Sequence, residues 1–109
     1  VSRSSKADAP SLAAKRLRDL ELVFDALAHE QRRHILLTLE FRGGEMTAGD
    51  IAARFSCSWP TTTRHLRVLE DAGLVRVEKR GRERYYRLDK ERMLGVAGEW
   101  LNGFARGRA

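Results

Sequence analysis

The sequence predicts one mainly helical domain with a small β-hairpin near its C-terminal end. Three observations lead there. Apolar residues recur at helical spacing along most of the chain. A short helix, a polar connection and a second helix closed by Gly73 follow one another after Thr47. Beyond Gly73, two alternating stretches flank Arg80-Gly81, the pattern of a half-buried hairpin. The order helix–helix–helix–helix–strand–strand–helix is that of a winged helix-turn-helix.

Each element follows from its residues. Residues 1–10 are small, polar or charged and end at Pro10, so they read as a flexible tail. The domain proper is expected over 11–105. Ser11 can cap a helix over Leu12–Leu27, in which Ala13, Leu17, Leu20, Phe24 and Leu27 recur at helical spacing. Leu12, Leu22 and Val23 fall outside that stripe. A helix that is apolar on more than one face needs more than one surface to pack on. One is the domain's own core, and a second subunit can supply the other. The next helix carries Ile35, Leu36 and Leu39 toward a core and ends before Gly43-Gly44. Thr47-Ala-Gly-Asp50 is a helix-start pattern, and Ile51, Ala52 and Phe55 give that helix a core face. Ser58 caps the following helix, and Pro60 is tolerated in its first turn because the missing N–H has no helical partner there. Val75 and Val77 alternate with Arg76 and Glu78, while Tyr85, Tyr86 and Leu88 serve the returning strand. Asp89 caps a last helix, with Met93, Ala97, Trp100, Leu101 and Phe104 on one stripe.

In such a fold the second helix of the motif can enter a major groove while the hairpin tip reaches the flanking backbone. Spacing places Leu66, Leu69 and Thr62 on the core side. Pro60, Thr61, Arg64 and Arg67 then point away, with Thr63 and His65 on the flanks. The outward face is hydroxyls and guanidinium. Arg64 can pair bidentately with guanine or grip phosphate. Thr61 and Thr63 can bond phosphates or bases, and helix N–H groups at Trp59–Thr61 can add a phosphate contact. Lys79, Arg80, Arg82 and Arg84 cluster at or near the hairpin tip. A basic tip also keeps an edge strand from aggregating; beside a cationic helix face, the nucleic-acid reading is the stronger one.

Composition agrees. The 109 residues suffice for one domain, and 42% are hydrophobic, too many for wholesale disorder. The formal net charge is +6, which favours anionic partners, nucleic acid first. No apolar run approaches the ~20 residues of a membrane span, and the first ten residues have no hydrophobic core of the kind a secretory signal needs. The single cysteine, Cys57, forms no internal disulfide, so the expected location is cytoplasmic. No nucleophile–base–orienter set, phosphate loop or metal cluster is present, so no enzyme and no cofactor is expected.

In "LVFDALAHEQRRHILLTL", "MTAGDIAARF", "SWPTTTRHLRVLEDAGLVRVEKRGRERYYRL" and the final helix, the chain resembles the ArsR family of bacterial transcriptional repressors. The resemblance covers roughly Leu20–Leu101. It implies a homodimer built from the first and last helices, with Leu17, Leu20, Phe24, Met93, Ala97, Trp100, Leu101 and Phe104 at the interface. It implies an inverted-repeat operator in double-stranded DNA, one recognition helix per half-site. It assigns DNA contact to Pro60, Thr61, Thr63, Arg64, His65 and Arg67, and wing contact to Arg80 and Arg82. Metal-sensing members carry a Cys-x-Cys on the first helix of the motif or His and carboxylate ligands on the final helix. Here the first reads "TAGDIAARF", and the last has Asp89, Glu91 and Glu99 but no histidine. Neither metal site can be built, so the expected protein is a repressor without metal sensing, its small-molecule effector unknown.

The remaining reactive residue types read blandly. Cys57 is a small turn residue rather than a redox switch, lacking a second cysteine. His29 and His34 are five apart, not the four that puts two ligands on one helix face. His65 is either a DNA contact or a residue hydrogen-bonded within the motif. Trp59 either shields the motif's core or touches the sugar-phosphate edge, and Arg32–His34 is either a phosphate contact or a solvated face. A winged-helix module that docks protein or RNA is the alternative function; it need not keep a basic wing and a hydroxyl-rich helix face together.

Overall fold

The computed structural model describes residues 11–107, so the tail expected over 1–10 lies outside the described residues. Its elements are α1 (Leu12–Leu27), α2 (Glu30–Phe41), β1 (Glu45–Thr47), α3 (Ala48–Ala53), α4 (Trp59–Asp71), β2 (Val75–Arg80) and β3 (Glu83–Leu88). The C-terminal rod consists of α5 (Lys90–Met93), a π-helical turn over Leu94–Gly98 and α6 (Glu99–Arg106).

Side-chain caps set the helix starts. The hydroxyl of Ser11 accepts from the N–H of Ala14 at 3.0 Å, and that of Thr47 from Asp50 at 3.0 Å. Ser58 Oγ accepts from Thr61 N–H at 3.3 Å and donates to Thr61 Oγ1, while Asp89 caps α5 through the N–H of Arg92. Each cap satisfies a donor that the first turn leaves without a helical partner. Gly73 ends α4 at φ +79°, where a Cβ would also lie 2.7 Å from Nε of Arg92. Gly81 takes φ +63° as the first central residue of the two-residue hairpin loop, the position glycine holds in a type II′ turn.

The sheet is one strand larger than the sequence suggests. β1 pairs antiparallel with β3, giving the order β1-β3-β2. β1 is only three residues long, and its signal is the single apolar Met46 between Glu45 and Thr47. The core is built from Val23 and Ala26 of α1, Ile35, Leu36 and Leu39 of α2, Met46 of β1, Ile51 of α3, Leu66 and Leu69 of α4, and Leu74, Val75, Tyr86 and Leu88 around the sheet. On α1 the deeply buried residues are thus Val23 and Ala26. The Leu17–Leu20–Phe24 stripe lies on another face, with Leu17 exposed.

The π turn splits the stripe expected on the last helix. A wider turn advances the chain relative to a regular α-helix, so residues on its two sides no longer share one face. Ala97 is only 8% exposed and belongs to the protomer's own core, and Met93 packs partly buried against that core. Leu101 and Phe104 remain 59% and 64% exposed. Ala97, expected at the interface, thus lies in the protomer's own core and Met93 packs partly against it, whereas Trp100, Leu101 and Phe104 keep an outward apolar face. Trp100 lies edge-on to Phe24 at 5.2 Å and to Phe104 at 4.7 Å, an aromatic ladder that ties α6 to α1. Arg92 and Asp19, 3.4 Å apart, join α5 to α1.

Candidate nucleic-acid interface

Helix α4 has two faces. Thr62, His65, Leu66 and Leu69 are buried, and Pro60, Thr63, Arg64 and Arg67 are exposed, with Thr61 between. Burial of Leu66 and Leu69 at i, i+3 spacing fixes the helix roll and aims Arg64 and Arg67 at solvent. Among the described residues no carboxylate pairs with Arg64 or Arg67. Their guanidinium donors are free for an outside acceptor.

The start of α4 offers less than its sequence suggests. Pro60 has no N–H, and the N–H groups of Thr61 and Thr62 are taken by Ser58. The expected phosphate contact from Trp59–Thr61 amides is corrected to Trp59 alone. Trp59 itself is 55% exposed, so it covers little of the motif's core.

The hairpin sorts its cations by face. Register pairs Lys79 with Arg84, Val77 with Tyr86 and Val75 with Leu88. Successive side chains alternate between faces, so Lys79 and Arg84 continue the face that packs on the core. Both are exposed, as is Arg82 in the loop, and none of the three has an ion-pair partner among the described residues.

Arg80, expected as a wing contact, lies on the opposite face, where two carboxylates already hold it. Its guanidinium donates to both oxygens of Glu45, at 2.7 and 3.1 Å, and to Glu78 at 3.0 Å. It also sits 4.1 Å over the ring of Tyr85. Arg87 adds a contact to Glu45 at 3.3 Å. Hydrogen bonding from Arg80, reinforced by its charge and by Arg87, holds the Glu45 carboxyl below its ordinary value despite some loss of solvation. The same guanidinium lowers Glu78, and the two carboxylates keep Arg80 more firmly protonated than usual. The sequence carried no signal for this network, because Glu45 lies 35 residues from Arg80 and meets it only through the β1–β3 pairing.

His65 also departs from its expected place on the DNA-facing flank. It is 8% exposed and faces inward, where its Nδ1 lies 3.3 Å from Nη1 of Arg32 and its ring 4.5 Å from that of His29. The i, i+3 step from Thr62 carries it onto the buried side. Of the two readings given above, the hydrogen bond inside the domain is the one present. Arg32 and Arg33 are not a merely solvated face: both donate to backbone carbonyls at the end of α1.

Among the described residues no three His, Cys, Asp or Glu side chains come together to hold a metal ion, and no helix is long and apolar enough to cross a membrane. Among the described residues, α3 has no thiol and the C-terminal rod no imidazole.

The helix-turn-helix domain model matches residues 27–78. The transcriptional repressor SdpR of Bacillus subtilis is 42% identical over 67 residues, spanning 62% of this chain and 72% of that protein. The crystal structure of an ArsR family transcriptional regulator aligns with a TM-score of 0.72 at 32% identity, over 84% of this chain and 95% of that one. The homodimeric winged helix-turn-helix DNA-binding domain from Mycobacterium bovis aligns with a TM-score of 0.69 at 25% identity, over 90% of each chain.

Proposed function

Because this chain belongs to the ArsR family of winged helix-turn-helix transcriptional regulators, we propose that it acts as a homodimeric repressor of the bacterial cytoplasm that reads an inverted-repeat operator without sensing a metal. Residues 11–105 serve as one DNA-binding and dimerisation domain. The observation that carries this reading is the pairing of two unneutralised surfaces, the Arg64/Arg67 face of α4 and the Lys79/Arg82/Arg84 side of the hairpin. Five cations left unpaired on adjoining elements, beside a neutralised Arg80, suit a polyanionic partner.

In this reading Arg64 addresses base edges, with Thr61, Thr63 and Pro60 along the same groove wall. Arg67, Lys79, Arg82 and Arg84 grip phosphates and set register. The repressor relative supports the direction of regulation. The homodimeric relative supports self-association, for which Leu17, Leu20 and Phe24 of α1 and Trp100, Leu101 and Phe104 of α6 are the proposed surface. Exposed Leu101 and Phe104 are the kind of side chains that a second subunit would cover.

The test is selection of bound sequences from a random duplex pool, beside sedimentation of the free protein. The expected products are a dimer and a two-fold symmetric site with a fixed spacing. A monomer, or a pool that stays random even in dilute salt, overturns the proposal.

A further inference from the structure

Arg32 joins three acceptors across two helices. Its Nε donates to the carbonyl of Ala26 at 2.8 Å and its Nη2 to that of Asp25 at 3.0 Å, both in the last turn of α1. Its Nη1 donates to Nδ1 of His65, midway along α4, at 3.3 Å. The Asp25 carbonyl also accepts from the N–H of Ala28 at 3.2 Å, so the guanidinium adds a second donor there, and its charge complements the negative end of the helix dipole. Its rigid planar fork fixes directions as well as distances. α1 is the helix assigned above to the dimer and α4 the one assigned to the groove, so this inference rests on the proposed function. We propose that Arg32 is a positioning residue which, through His65, locks the recognition helix to the dimer helix and so sets the spacing between the two half-sites that the repressor accepts.

The chemistry of the joint makes it sensitive to acid. A guanidinium has donors only, so Nδ1 of His65 must present its lone pair, and its proton sits on Nε2. Protonation turns Nδ1 into a donor, removes the hydrogen bond and sets two cations against each other. The charged and titratable groups facing His65 are Arg32 and His29 from α2 and its cap, and Arg64 on its own helix; no carboxylate faces it. Burial first, then these neighbours, hold its pKa below the ordinary 6.5. The locked arrangement is therefore fully favoured above that ordinary value and is lost as pH falls through the lowered one.

The closing experiment reads the joint with and without DNA. In full-length protein carrying Cys57→Ser, spin labels at Arg18→Cys and Arg67→Cys, diluted with unlabelled chain, report the α1–α4 distance. We expect a narrow distribution at neutral pH and a broad one at the acid end of a stepwise titration carried well below the ordinary imidazole range. Arg32→Lys, which keeps the charge but not the fork, is broad at both. His65→Asn, whose side-chain oxygen can accept in place of Nδ1 and does not titrate, is narrow at both. On duplexes whose selected half-sites are moved apart by single base pairs, unlabelled Arg32→Lys loses about tenfold on the preferred spacing and far less on the others, the scale of one charge-assisted hydrogen bond. An unchanged distribution in Arg32→Lys overturns the proposal. So does a His65→Asn protein that broadens in acid like the parent, or a spacing preference that survives Arg32→Lys. The spin-label arm needs no DNA, so a failure there is distinct from a protein that simply ignores duplexes.

Discussion

On one face of the β2–β3 hairpin, Lys79 and Arg84 stand opposite each other with no carboxylate partner; on the other, Arg80 is gripped by Glu45 and Glu78, and Arg87 leans on Glu45. The residues are neighbours in sequence and similar in chemistry. Pleating alone sends them to different surroundings. The free face adjoins the core and helix α4, whose own outward arginines are also unpaired; the neutralised face looks the other way. Within the hairpin, the unpaired cations therefore share one face and the paired ones the other.

Removing the reader breaks this comparison most strongly. Arg64→Ala is expected to lower operator affinity by about 1–3 kcal/mol and to relax base preference at one position, while random duplex is held nearly as before. Titration of both duplexes by fluorescence anisotropy checks it. Equal losses on the two would make Arg64 a phosphate contact and leave base reading to another residue.

The free hairpin face should matter next. Lys79→Ala with Arg84→Ala is expected to weaken operator and random DNA alike and to reduce the slope of log affinity against log salt by about two, one per lost phosphate contact. Arg82→Ala, in the loop, should take about one from that slope. Arg80→Ala is the control that sharpens the contrast: because its guanidinium is already occupied, the slope should change far less. A slope as strongly reduced in Arg80→Ala as in the double variant would mean that DNA pulls Arg80 from its carboxylates, and the two faces would then be equivalent.

How far these faces could be foreseen depends on the range of the signal. The caps at Ser11, Thr47, Ser58 and Asp89, the glycines at 73 and 81 and the alternating hairpin are local patterns within a few residues, and the structure uses them all. The outward placement of Arg64 and Arg67 was equally legible, because Leu66 and Leu69 fix the roll of α4. What stayed hidden arises from contacts distant in sequence. The β1 strand has three residues and exists by pairing with β3. The capture of Arg80 depends on that strand, and the partner of His65, Arg32, is 33 residues away, although the burial of His65 follows the local i, i+3 step from Thr62. The π turn is local, but two glycines in a helical pattern do not by themselves tell a widened turn from a regular one.

The smallest expected effect tests the neutralised face itself. Glu45→Gln keeps the shape of the side chain and removes its charge, leaving Arg80 with Glu78 alone and Arg87 without its closer partner. Part of the cationic charge on that face is then unscreened, so the salt slope should steepen, by less than about one, and non-specific binding should rise slightly. Acid should mimic the substitution. The folded-state pKa of Glu45 lies below its ordinary 4.5, so the stabilising contact is fully present above that value and is lost as pH falls through the lowered one. Amide exchange along β1 and β3 is the measurement: it should accelerate in this acid window for the parent and be faster from the outset, with less acid dependence, in Glu45→Gln. Identical acid profiles in the two proteins would assign the hold on the outer face to Glu78, and Arg80 would then owe its orientation to the hairpin's own strands rather than to β1.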